Sequence, residues 1–168
     1  MKKLIILLIV LLLLSVCCTS CGFTVPRPEI KSGEFNYLVT YEYGGETNTV
    51  SGVYVCEYVG TAWTLDGGNR RDWSGYIKDN EMDDFVYLDI ADDGDEVILV
   101  LNLDPEYFMD DYNIDLYGVP TPYIMIKDYT EEGMRVLHEA DLIEEICGAK
   151  IISYKYDMPV ENSFGLFK

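Results

Sequence analysis

Basic residues, histidine and paired cysteines are what this chain has least of. Twelve lysines and arginines stand against thirty aspartates and glutamates, a formal net charge of −18 over 168 residues. That balance argues against nucleic acid as a partner, because phosphate binding is carried by Lys and Arg. It also argues against flat docking on anionic lipid. The one histidine, His138, and the lack of a CxxC pair leave no zinc site of ordinary ligand spacing. GxSxG and SxxK are missing, and Cys56 lies far in sequence from His138, so no nucleophile with its base is legible. No motif requires a cofactor, and there is no repeat or low-complexity tract.

What is present begins at the N-terminus. Lys2-Lys3 precedes the apolar run Leu4 to Leu14, which is followed by Ser15-Val16-Cys17-Cys18-Thr19-Ser20-Cys21. A charged start, an apolar stretch and a tail of small residues read as a secretory signal. Cysteines at its end point to a leader cut before a cysteine that then carries acyl chains such as palmitate. Leu three residues before that cysteine and a small residue next to it are the usual pattern. Cys17 has Leu14 but adjoins Val16, Cys18 follows Cys17, and Cys21 follows small Thr19-Ser20 with Cys18 in place of Leu. The small neighbour is the stricter steric demand, so Cys21 is the expected lipidation site. Two other outcomes are open. Ordinary signal peptidase could cut the same bond, or the segment could stay as an anchor, although the run is short for a span of about 20 residues. The expected organisation is a signal peptide over 1–20, a lipidated tether over 21–32 containing Pro26 and Pro28, and one domain over 33–168. That puts the protein on the extracytoplasmic face of the cell membrane, held there by its N-terminal lipid.

Without residues 1–20, which hold two lysines and no acid, 10 basic residues face 30 acidic ones and the formal charge is −20. Fourteen tyrosines, six phenylalanines and two tryptophans nevertheless demand an ordered core. Glu34 to Tyr43 and Thr47 to Val59 alternate apolar and polar residues around Gly44-Gly45, which reads as a hairpin. Gly60 to Gly75 reads as loop. Phe85 to Ile90 and Glu96 to Leu103 read as strands joined by a turn at 91–95, with Val97 to Leu101 apolar enough to be buried on both faces. Pro105 to Asp110 fits one helical turn. Tyr123 to Lys127, Met134 to Leu137 and Ile151 to Tyr156 read as further strands. Glu139 to Cys147 reads as a helix with an apolar stripe of Leu142, Ile143 and Ile146, stopped by Gly148. Many strands with one late helix imply a mainly β (α+β) fold: an antiparallel sandwich or partly open barrel with one short C-terminal helix.

The helix Glu139–Cys147, Gly148, Ile151-Ile152-Ser153-Tyr154 and the tail Asp157 to Phe164 resemble the end of a group of uncharacterised small lipoproteins from gut Clostridia and related Gram-positive bacteria. Tyr41-Glu42-Tyr43, Gly45-Glu46-Thr47, Val55-Cys56-Glu57 and Glu106 to Asp110 are similar to it as well. The likeness spans most of residues 33–164 through loose motifs. It implies a lipid-anchored surface protein and supplies no activity, ligand or catalytic residue. The leader departs from the pattern in lacking Leu before Cys21.

Three constellations bear on chemistry. From Asp79 to Asp115 there are 14 acids and no Lys or Arg. Asp111-x-Asn113-x-Asp115 has the spacing of a calcium loop, but Leu116 replaces Gly at the sixth position and Pro122 replaces Glu at the twelfth. Asp92 and Asp93 could join Asp111 and Asp115 only in an irregular oxygen site. Paired carboxylates could hydrolyse a glycan if two met in a cleft with one raised pKa, but thirty acids make the pattern unselective. Trp63, Trp73 and Tyr76 around Arg70-Arg71 form a possible ligand face for sugar or peptide. Cys56 and Cys147 could pair or stay as free thiols, and His138 reads as a surface or capping residue. The resulting expectation is a non-enzymatic surface module for binding or interaction, with a protein or glycan partner. A glycan-directed hydrolase and a Ca²⁺-stabilised surface domain are the alternatives.

Overall fold

A computed structural model describes residues 25–64, 68–78, 84–90, 95–130 and 133–165. The elements are β1 (Arg27–Pro28), β2 (Ser32–Tyr43), β3 (Glu46–Trp63), β4 (Asn69–Ile77), β5 (Phe85–Ile90), β6 (Glu96–Val100), α1 (Pro105–Phe108), α2 (Ile114–Tyr117), β7 (Tyr123–Thr130), β8 (Gly133–Leu137), α3 (Ala140–Cys147), β9 (Lys150–Tyr156) and β10 (Phe164–Gly165). One four-stranded sheet runs β4-β3-β2-β9, a second runs β5-β6-β7-β8, and β1 pairs with β10. Every pairing is antiparallel. Neither sheet closes into a barrel, so of the two expected architectures the β-rich sandwich is the one formed. Among the described residues no helix is long and apolar enough to cross a membrane.

The β2–β3 hairpin forms as its alternation dictates. Tyr43 pairs Glu46 across Gly44 and Gly45, both at positive φ (61° and 78°), a turn that glycine enters without a Cβ clash. Phe35, Tyr37 and Val39 turn inward from β2, while Glu34, Asn36 and Leu38 stay out. β6 lies between β5 and β7, and within its apolar part Ile98 and Leu99 are fully buried, as the run Val97 to Leu101 requires. Phe108 closes the core. Its ring meets Phe35 at 4.7 Å, Tyr54 at 5.7 Å and Tyr156 at 6.1 Å. Asp104 caps α1 by accepting from the Glu106 N–H at 2.8 Å, with Pro105 following.

Helix α3 stops where expected: Gly148 is left-handed (φ 67°) and its N–H donates to the Glu144 carbonyl. Its apolar stripe is only partly used, because Ile143 is buried while Leu142 and Ile146 stay exposed. The larger correction concerns 60–75. β3 continues to Trp63 and β4 begins at Asn69, so most of the span read as loop is a long hairpin. Gly60 (φ 153°) sits at a register shift between Tyr58 and Gly60, the signature of a bulge rather than of a strand end. The described part of the 21–32 span is docked, not free. Arg27–Pro28 pairs with β10, the Glu29 N–H donates to the Ser163 carbonyl, and Asn162 bridges both backbone groups of Ile30. Cys21 and the rest of 1–24 lie outside the described residues, as do Asp92 and Asp93.

Candidate functional site

A group of polar and aromatic side chains gathers between the β4 strand and the segment 102–117. β4 contributes Arg70, Asp72 and Trp73. The segment after β6 contributes Asp104, α1 contributes Glu106, the linker to α2 contributes Tyr112, and α2 contributes Tyr117. With Asp84, Asn102, Leu103 and Pro105 they line a cleft of about 550 Å³. Asn102 takes a left-handed backbone (φ 52°) and its amide donates to the Thr121 carbonyl at 3.0 Å, which fixes the bend that turns Asp104 into the wall.

Four carboxylates and one guanidinium therefore face one space. Burial, then the adjacent Asp104 carboxylate, raises the Glu106 pKa above the usual glutamate range. Burial followed by Asp104 raises that of Tyr112 as well. The Tyr112 and Tyr117 rings lie 5.5 Å apart, and Tyr107 meets Tyr112 edge-on at 6.1 Å. Tyrosine rings offer stacking faces with a polar edge, and carboxylates accept from hydroxyl or ammonium donors. The cleft can thus hold a hydroxyl-rich or cationic ligand.

The residues expected to make one ligand face are divided. Arg70 and Trp73 line the cleft. Arg71 is not in the cleft lining: its Nε donates to Asp111 at 2.7 Å, its Nη2 also meets Asp111, and its Nη1 reaches the Pro26 carbonyl at 3.3 Å. Its guanidinium covers the Phe164 ring at 3.9 Å. Trp73 donates its indole N–H to the same Asp111 at 2.8 Å and packs edge-on against Tyr58. Trp63 is exposed at the far end of the hairpin, and Tyr76 is exposed toward its other end, opposite Val55.

Asp111 is thereby committed to an arginine and an indole, which opposes its use as a calcium ligand. Asn113 is committed too, capping α2 through the Leu116 N–H, while Asp115 is exposed. Among the described residues no three His, Cys, Asp or Glu side chains converge at metal-binding range. Cys56 is fully buried and Cys147 half-buried, both as free thiols. His138 is exposed between β8 and α3, beside a smaller cavity of about 350 Å³.

Sequence reasoning singled out Arg70 and Trp73 but missed Glu106, Tyr112 and Tyr117. Pro105 to Asp110 reads as a helical turn, yet nothing local shows that β4 lies across from it. Comparison with protein-family models, with curated proteins and with solved structures found no match.

Proposed function

We propose that this protein is an extracytoplasmic lipoprotein, anchored through Cys21, whose β-sandwich binds a hydroxyl-rich or cationic ligand without transforming it. The observation that carries the binding reading is the cleft itself, where Tyr112 and Tyr117 stand with four carboxylates and Arg70 beside Trp73. The leader supports the location, and the strong negative charge favours solubility and repulsion from anionic surfaces. Trp73 gives a direct test. Trp63→Phe leaves Trp73 as the only tryptophan. Its fluorescence, followed during titration with cell-wall glycan oligomers and with lysine-rich peptides, should saturate with one of them. Tyr112→Ala and Tyr117→Ala should weaken that response. Saturation that ignores both substitutions places the ligand elsewhere and defeats the proposal.

One observation favours a hydrolytic reading as second choice. A glutamic acid of raised pKa beside a second carboxylate is the arrangement that glycoside hydrolysis uses. Under that reading Glu106 donates the proton and Asp104 is its partner. Glu106→Gln would then abolish product release from the oligomer that binds. Under the binding reading no product forms with either protein.

A further inference from the structure

The described chain begins beside Arg71, and a run of exposed apolar residues lies a short stretch of chain away. Pro26, near the start of the described chain, bonds through its carbonyl to Arg71, and Arg71 bonds to Asp111. Three residues beyond Asp111, within about 10 Å of chain, α2 begins at Ile114. Ile114 is 48% exposed, Leu116 67%, Tyr117 67% and Val119 50%, with only the Tyr112 ring recorded against Tyr117 among the described residues. Phe164 and Arg71 lie beside Ile114 in one shallow surface. The β3–β4 hairpin also passes Arg71. Thr61 pairs with Arg71, and Trp63, 67% exposed, stands two residues further out, about 7 Å.

We propose that this end, Trp63 on one side and Ile114, Leu116, Tyr117 and Val119 on the other, inserts into the outer surface of the lipid bilayer. The inference rests on the anchoring reading above. An acylated Cys21 is five residues from Pro26, so even a fully extended chain keeps Pro26 within about 17 Å of the lipid-bearing residue. A tether that short holds the domain by this end. Aromatic and aliphatic side chains of this kind are those that settle at the boundary between headgroups and acyl chains. Three of the chain's four arginines, Arg27, Arg70 and Arg71, also gather here. Asp110, Asp111, Asp115 and the cleft acids keep the end from being cationic, so apolar insertion rather than charge drives the contact. The short tether, rather than charge, sets which end faces the bilayer. Arg70 and Tyr117 belong to the cleft wall as well, so the cleft opens beside the bilayer.

The test uses the full mature chain, purified with its native N-terminus and reconstituted into phosphatidylcholine–phosphatidylglycerol vesicles whose acyl chains carry bromine. Flotation with the vesicles reports anchoring, and tryptophan quenching reports insertion. The expected result is flotation with quenching and a blue shift of the emission, both lost in Trp63→Phe and restored by Leu116→Trp in that background. Flotation without quenching overturns this inference and leaves the anchoring intact. No flotation overturns both. Protection of Trp63 from aqueous iodide without quenching by bromine means that a second copy or another protein covers the end, and it too overturns the inference.

Discussion

Replacing Asp111 by Ala should cost this domain more than any other single surface-proximal change. The carboxylate accepts from the Trp73 indole and holds the Arg71 guanidinium bidentately, with side-chain exposures of 11% for Asp111 and 17% for Arg71. Truncation strands a cation that is largely out of water, and breaking such a pair costs about 3–5 kcal/mol. The Pro26 carbonyl and the Phe164 ring keep part of the charge satisfied, so the lower half of that range, about 3–4 kcal/mol, is expected. For a domain of this length each kcal/mol lowers Tm by about 3 °C, so the drop should be about 10 °C. Urea denaturation of the wild type, Asp111→Ala, Arg71→Met, and the pair Arg71→Met with Asp111→Asn measures it. The double variant removes the charge and keeps an amide oxygen for Trp73, so it should be more stable than Asp111→Ala. Asp115→Ala, exposed, should stay within about 0.5 kcal/mol of wild type. A loss under about 1 kcal/mol for Asp111→Ala, or a double variant no more stable than Asp111→Ala, would refute the reasoning.

Other expectations follow from the same packing. A Cβ at Gly75 would lie 1.8 Å from the Tyr54 oxygen and 2.4 Å from its Cζ, and the ring is buried, so Gly75→Ala should destabilise by about 2–3 kcal/mol. Gly52→Ala, with its nearest contact at 2.7 Å from the Tyr37 oxygen, should cost less, and both are read by denaturant midpoint. At alkaline pH the fold should lose stability. Burial pushes the Cys56 thiol from 9.0 up to about 12, and burial with a hydrogen bond to Asp89 pushes Tyr43 from 10.0 up to about 12. Each folded-state value lies above its unfolded value. The unfolded chain therefore releases protons first, and stability present below pH 9 declines between about 9 and 12. Tyr43→Phe should flatten the upper part of that decline, and an unchanged slope would count against the Tyr43–Asp89 bond. Because Cys56 and Cys147 are free thiols, a reductant should leave Tm unchanged, whereas a fall would mean that they pair.

Where a pattern was local, the chain could be read directly. The β2–β3 hairpin is written in the alternation around Gly44-Gly45, β6 in the four successive apolar residues Val97 to Val100, and the end of α3 in Gly148. The stretch 60–75 misled because its inward positions include Arg71, a residue that belongs inside only when Asp111, 40 residues on, neutralises it. Gly60 then reads as a break, although a single glycine within a strand pattern also marks a bulge. Likewise β1 and β10 are two residues each and pair across the whole domain, which no local pattern encodes. The cleft shares this origin. Arg70 and Trp73 were visible as unusual residues, but Glu106, Tyr112 and Tyr117 acquire meaning only once β4 packs across from α1 and α2.

The central claim is that a lipid on Cys21 holds this sandwich outside the cell. Intact-mass and peptide mass spectrometry of the mature protein test it most directly. The account predicts a chain that begins at Cys21, with residues 1–20 removed and acyl chains on the new N-terminal residue. A peptide still carrying Leu4 to Leu14, or an unmodified Cys21, would contradict it.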